Sequence, residues 1–467
     1  MKKAINKDLY FYILNIYILM LILIPKSVST IAGIIPLRLM LSVILLLVLF
    51  YFCYKKEIPL NNRSLRPYII LYLVFLVSAI PSFWITQNIL ISFYTLMKFI
   101  VFFCIFSFIL KIDFSKKQYE ILIKTFVFGI LMVTIYGLIE YFFLPNLFKI
   151  GIEKYMGARG RVSATFFNTI YFGIFINLLF PFVLYIFSKS ENKKTTLLYG
   201  LLSILMYISI VHTFTRSSFL IFFWMLFLMF VFMPKIFIKV KMVVLSIIVI
   251  FITIITPGSL ELFRVSLCDG YSLIFSKFKS TAFEENLLQI KNSCGTKKNI
   301  TTPLEDEGEN TLSNSVKVDY SLVHRKEFSK IAKRIARDNI LTGVGFGTYI
   351  DYMNSKVFDD KYPDYICSKT HPHSSLILIY SEIGIIGIIS FSMFILYLFV
   401  INIISIFKTK EKRNVTILVS IIISGFILVN LIAENPVYDT QIYPLFLIIV
   451  GLSMNYIYNK KIKLNFN

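Results

Sequence analysis

Charge is scarce in this chain: Asp, Glu, Lys and Arg together make up 16% of its 467 residues. That excludes an ordinary soluble domain, in which about a quarter of the residues are charged. Acidic charge is the scarcer kind, with 26 Asp and Glu against 48 Lys and Arg, for a formal net charge of +22. Cysteine is sparse too. Cys53 and Cys104 lie inside apolar runs, and Cys268, Cys294 and Cys367 fall in one polar stretch without the paired spacing of a metal site. The stretch can hold a disulfide between two of these three only if it faces an oxidising side. No small-residue cleavage site follows MKKAINK, so the first apolar run reads as a retained helix. There is no internal repeat.

What the chain does hold is apolar sequence: 57% hydrophobic and 16% aromatic residues, with a mean hydropathy of +0.75. Runs long enough to cross a bilayer, about 20 residues each, recur along most of the length. They fall at 8–25, 34–54, 68–86, 91–111, 123–143, 169–188, 197–213, 217–234, 242–256, 376–406, 415–434 and 441–457. The expected fold is all-α, a polytopic membrane bundle of about twelve transmembrane helices. Its parts are a first bundle section at 1–256, a large extracytoplasmic loop containing helices at 257–373, and a last section at 374–467.

Basic residues fall in alternate connections: KKEIPLNNRSLR, KIDFSKK, KSENKK, KIFIKVK, KTKEKR and both chain ends. Lys and Arg in short loops resist translocation, so this set is cytoplasmic, together with both termini. The excess of positive charge then needs no nucleic acid to account for it. The other set, KSVST, ITQN, TFTR and ENPVYDT, is poor in charge. It includes two long pieces, 144–168 and 257–373. Within the larger, TTPLEDEGENTLSNS has the composition of a flexible insertion. After it, Phe328, Ile331 and Ile335 recur at helical spacing among cations, which predicts an amphipathic helix over 324–339 lying on the membrane face or the bundle.

Chemistry concentrates between Arg337 and Gly387. TGVGFGTY reads either as an anion-facing turn, since close glycines let N–H groups approach an anion, or as a turn ending the helix with a glycine at positive φ. No Lys-Ser or Lys-Thr pair follows it, which argues against nucleotide. HPHS at 371–374 offers a satisfied polar residue, a weak metal signal, or a general base at the membrane surface. A helix from His373 puts Glu382 on the opposite face, so Glu382 partners His373 only if the helix breaks. Arg216 in TFTRSSF, together with Arg159 and Arg161 in GARGRVSATFFN, sits at outer turns, where an arginine fork suits phosphate oxygens. Lys98, Glu140 and Glu434 lie within or near apolar runs, where a charge can mark a transport pathway, but Glu140 and Glu434 fall near outer ends, which weakens that reading.

Four stretches, in order, resemble the O-antigen ligase and O-antigen polymerase superfamily, bacterial membrane glycosyltransferases that act on undecaprenyl-diphosphate-linked glycans. They are RVSATFFNTIYFG, in which Ala164 stands where glycine is common, TFTRSSFL, HRKEFSKIAKRIARDNILTGVGFGTY, and HPHSSLILIYSEIGIIGII. The last maps the family histidine onto His373. The resemblance implies inverting glycosyl transfer without metal or cofactor on the outer face of the bacterial cytoplasmic membrane. Arg161 and Arg216 would bind the donor's diphosphate, joined by Arg325 or Arg337, and His373 would act as catalytic base. It implies as partners an undecaprenyl-diphosphate-linked oligosaccharide donor, a glycan or lipid-linked acceptor, membrane lipids, a chain-length regulator and a flippase. Polymerisation of O-antigen or capsular repeat units is preferred over ligation. The competing class is a multi-span transporter or flippase of lipid-linked glycans, whose usual repeats are missing here.

Overall fold

The structure, a computed structural model, describes residues 9–24, 30–31, 35–55, 58, 66–142, 162–166, 168–213, 215–234, 320–363, 365, 369–408, 410–432 and 434–459. The expected span at 242–256, the insertion at 301–315, and Arg159, Arg161, Cys268, Cys294 and Cys367 lie outside the described residues.

Within them the chain is a helical bundle. Its apolar helices are α1 (Leu9–Leu23), α2 (Leu37–Tyr54), α3 (Arg66–Ser78), α4 (Ile89–Lys111), α5 (Lys116–Phe142), α6 (Thr169–Lys189), α7 (Lys193–His212) and α8 (Arg216–Phe232). The loop contributes α9 (Tyr320–Asp338), α10 (Tyr349–Met353) and α11 (Lys356–Lys361). The bundle closes with α12 (Ser375–Lys408), α13 (Arg413–Ile432) and α14 (Ile442–Tyr458). Eight stretches are long and apolar enough to cross a membrane, and three shorter apolar helices, α1, α8 and α14, join them. A two-residue β pair between Thr30–Ile31 and Ile35–Pro36 is the one sheet element among the described residues.

Several helices start where a polar side chain accepts an otherwise unpaired N–H. Asn88 caps α4, Asn168 caps α6 by accepting from Tyr171 at 2.9 Å, and Asp439 caps α14 by accepting from Gln441 and Ile442 at 2.8 and 2.9 Å. Lys111, Lys189 and Lys408 fall in the last turns of α4, α6 and α12, complementing the negative helix ends. α6 is the central helix, 89% of its span buried against 39% for α2. Apolar side chains on every side of it fit a helix packed all round by other helices.

The two ends of the bundle differ. At one, Asn455 on α14 donates to the carbonyls of Ile109 and Ile112 at 2.6 and 2.7 Å, closing the C-terminal end of α4, and Asn459 reaches Asp113. Lys412 donates to carbonyls of Tyr456 and Asn459. Among the described residues, the basic groups between α4 and α5, between α6 and α7 and at the start of α13 lie at this end. The opposite end collects Tyr171, His373, Glu434 and the glycine turn.

Candidate active site

His373 sits just ahead of α12, and its partner comes from the far end of the chain. Nδ1 of His373 lies 3.0 Å from Oε1 of Glu434, in the connection between α13 and α14. A carboxylate only accepts, so Nδ1 is the donor, an arrangement that in the neutral tautomer leaves Nε2 as the acceptor. The Glu434 side chain is 11% exposed and that of His373 27%, so the carboxylate is withdrawn while the imidazole still reaches the surface. The backbone beneath is tied as well: Ser374 donates to the Asn430 carbonyl at 3.0 Å. His371 is exposed and stacks on Tyr349 with ring centroids 6.0 Å apart.

Arg216 opens α8, half-buried, with Thr215 as the preceding cap residue. α6 and α8 run side by side with their N-termini at the same end, because Gly173 lets Ser218 approach. A Cβ on Gly173 would stand 2.1 Å from the Ser218 hydroxyl oxygen. Asn177 of α6 locks the pair by donating to the Ser218 carbonyl at 2.8 Å. Two positive helix ends beside an arginine make a face that favours anions. The segment following Arg161 is held at this turn: Val162 N–H donates to the His212 carbonyl at 3.0 Å, and Ala164 N–H to Glu140 at 2.9 Å. Ala164 has φ +49°, the left-handed region, which gives a physical reason for glycine at this position. Tyr171, one turn into α6, reaches the Asn435 carbonyl at 3.5 Å, next to Glu434. The arginine turn and the histidine pair therefore share one end of the bundle.

The amphipathic helix expected at 324–339 forms as α9, and it lies on the bundle. Phe328, Ile331, Ala332 and Ile335 are buried beneath it, while Lys326, Lys330, Lys333, Arg334 and Arg337 face outward. Phe328 rests against His373, ring centroids 6.1 Å apart. Arg325, half-buried, is one turn from Phe328 on the same face. Arg337 is exposed and, at 1.5 Å per residue, about 18 Å further along the axis than Arg325.

Both readings of TGVGFGTY meet in one geometry. Gly343, Gly345 and Gly347 all have positive φ, as a helix-ending turn requires, and the turn does face an anion: the carboxylate of Glu382. Glu382 is fully buried and accepts from Gly347 N–H at 2.8 Å, Tyr349 N–H at 3.3 Å and the Tyr438 hydroxyl at 2.5 Å. Burial, then the neighbouring carboxylate, push the Tyr438 phenol well above its ordinary value, so it remains a donor. α12 does break, at Gly384 (φ 77°, ψ −169°), yet the break turns Glu382 toward the loop rather than toward His373. Lys98 donates to the Tyr438 carbonyl at 2.9 Å. All three charges noted within apolar runs, Lys98, Glu140 and Glu434, thus have polar partners at this end.

Glu434 as the partner of His373, and Tyr438 as the partner of Glu382, did not emerge from the motifs. The available signal was an acidic residue at the end of an apolar span, followed by the turn-forming Asn-Pro. By its fold and by the place of these groups the molecule is a polytopic helical membrane protein with a polar site at one end. A family model described as O-Antigen ligase matches residues 201–392, from α7 through Arg216, α9 and His373 into α12. The match supports the O-antigen ligase and polymerase superfamily, and with it a membrane enzyme that ligates or polymerises glycans. No curated protein matches the chain.

Proposed function

We propose that the protein transfers oligosaccharide from an undecaprenyl diphosphate carrier to a hydroxyl acceptor on the outer face of the bacterial cytoplasmic membrane. The His373–Glu434 pair at 3.0 Å carries the reading. Nε2 takes the acceptor's proton while the acceptor oxygen bonds to the anomeric carbon. The bond from that carbon to the diphosphate oxygen breaks, its electron pair leaving with the diphosphate, and configuration inverts. Glu434 holds the imidazole in one tautomer and stabilises the imidazolium that forms. The leaving diphosphate gathers charge at the N-termini of α6 and α8, beside Arg216, with Arg325 and Arg337 supplied by α9 and Arg161, expected from the sequence, as a further cation. A carrier whose tail stays in the bilayer presents its headgroup at this level, with both chain ends of the protein on the cytoplasmic side. Growth of O-antigen or capsular repeat units is the preferred outcome, with ligation to another acceptor second.

The test is purified protein in detergent with an undecaprenyl-diphosphate oligosaccharide, followed for glycan length without nucleotide or added metal. Longer glycans from the wild type, and none from folded His373→Ala or Arg216→Ala, uphold the polymerase reading. Donor consumption without elongation points to ligation. A requirement for a divalent cation overturns the arginine-only account of charge stabilisation, and donor moved intact across vesicles replaces the enzyme with a flippase.

A further inference from the structure

We infer that Glu382 is a positioning residue that holds the His373–Glu434 pair in register with the arginine-bearing loop, acting through Tyr438. A carboxylate fully buried in a membrane bundle is costly, and an apolar residue of similar volume often serves stability as well or better. What the carboxylate does here that an apolar residue cannot is accept from two separate segments at once. The Gly347 and Tyr349 amides bring it the loop that carries α9, and the Tyr438 hydroxyl brings it the turn between α13 and α14.

Tyr438 is held from both sides, its hydroxyl by Glu382 and its carbonyl by Lys98. Its N–H closes a short turn onto the Asn435 carbonyl at 3.1 Å, with Pro436 inside that turn. Glu434 is therefore joined to Tyr438 by a stiff link in which φ of Pro436 is fixed. His373 belongs to the segment that carries Glu382 itself, nine residues earlier. Through one side chain the loop, the histidine segment and the Glu434 turn are referred to a common point. A shift of Tyr438 moves Glu434 against His373.

This inference rests on the transferase reading only for its kinetic arm. The chain has four histidines, so imidazole 15N spectra of the labelled protein in nanodiscs are sparse enough to assign with His373→Gln. Tyr438→Phe removes one hydroxyl and keeps the ring that contacts Phe99 and Phe346. The His373 Nδ1 signal in Tyr438→Phe is expected to move toward the position it takes in Glu434→Gln, with the other histidines unmoved. Glu382→Gln, which keeps shape but turns one acceptor oxygen into an NH2 donor and so cannot accept from Tyr438, Gly347 and Tyr349 together, gives a displacement in the same direction if Tyr438→Phe folds poorly. In the transfer assay Tyr438→Phe lowers kcat on the order of tenfold and leaves KM for the donor within about twofold. Added to Glu434→Gln, it slows the reaction no further, as expected of two residues acting through one bond. An unmoved His373 signal in folded Tyr438→Phe and Glu382→Gln, or losses that multiply, overturns the inference. A wild type that transfers no glycan defeats the functional reading, and the spectra still decide the positioning claim.

Discussion

Gly384→Ala tests the architecture at its tightest point. Gly384 has φ 77° and ψ −169°, and a Cβ there would lie 2.5 Å from both the carbonyl carbon and the oxygen of Leu341. The backbone conformation is essentially reserved for glycine and costs another residue about 1–3 kcal/mol. Crowding a neighbour that is backbone adds about 1–3 kcal/mol. Five hydrogen bonds hold the glycine turn to α12 beside this point: Val344 N–H to the Ser381 carbonyl, Gly345 N–H to the Glu382 carbonyl and Ile385 N–H to the Ile340 carbonyl, at 3.0, 3.0 and 2.7 Å, and the Gly347 and Tyr349 amides to the Glu382 side chain. At about 1 kcal/mol net each, they are matched by the strain but the whole fold, worth about 5–15 kcal/mol, is not. The turn should part from α12 while the bundle stays folded. Trypsin then cleaves α9 at its exposed Lys330, Lys333 and Arg334 far faster than in the wild type, helical content is kept, and glycan transfer is lost. Gly387→Ala is the internal control, because the atoms nearest its Cβ, from 2.3 Å, belong to the Ile383 side chain, which can turn aside as backbone cannot, and φ is not positive. Wild-type digestion and transfer by Gly384→Ala, or equal damage from Gly387→Ala, refutes the reasoning.

Glu434→Gln leaves His373 without an acceptor-only partner and is expected to lower kcat on the order of 10–100-fold; a change confined to KM counts against the orienting role. Arg325→Ala should slow transfer at least about tenfold more than Arg337→Ala, since only Arg325 lies one turn from Phe328 on the histidine-facing side. Equal effects in kcat/KM assays would place the diphosphate elsewhere on α9. Gly173→Ala drives a Cβ to 2.1 Å from the Ser218 oxygen, at a cost of about 1–3 kcal/mol. Thermal unfolding should register the loss and Ser218→Gly should restore much of it; no rescue means the α6–α8 contact is looser than drawn.

The bundle was readable because membrane spans advertise themselves one at a time: α4, α6, α13 and α14 begin and end within a few residues of their apolar runs. α5 starts earlier than its run, at Lys116, because Lys116, Lys117 and Glu120 extend the helix out of the apolar zone. His373 and Arg216 were readable because polar groups at the ends of apolar runs are conspicuous. The pairing of His373 with Glu434 was not, since 61 residues separate them and α12 and α13 must first pack. Helical geometry turned Glu382 away from His373 correctly, but where it turned depended on Gly384 and on a loop that no periodicity describes. The two readings of the glycine turn could not be told apart because the anion it faces is supplied by the protein.

That internal anion bears on how the site opens. The Gly347 and Tyr349 amides give their protons to a side chain, so neither exchanges with solvent until Glu382 lets go. Release at that point frees the Tyr438 hydroxyl in the same event. In hydrogen exchange the glycine turn, the first turns of α12 and the segment at 434–438 should therefore behave as one cooperative unit with a single opening free energy. On the proposed function, binding of the donor at this end should slow exchange at all three places by the same factor.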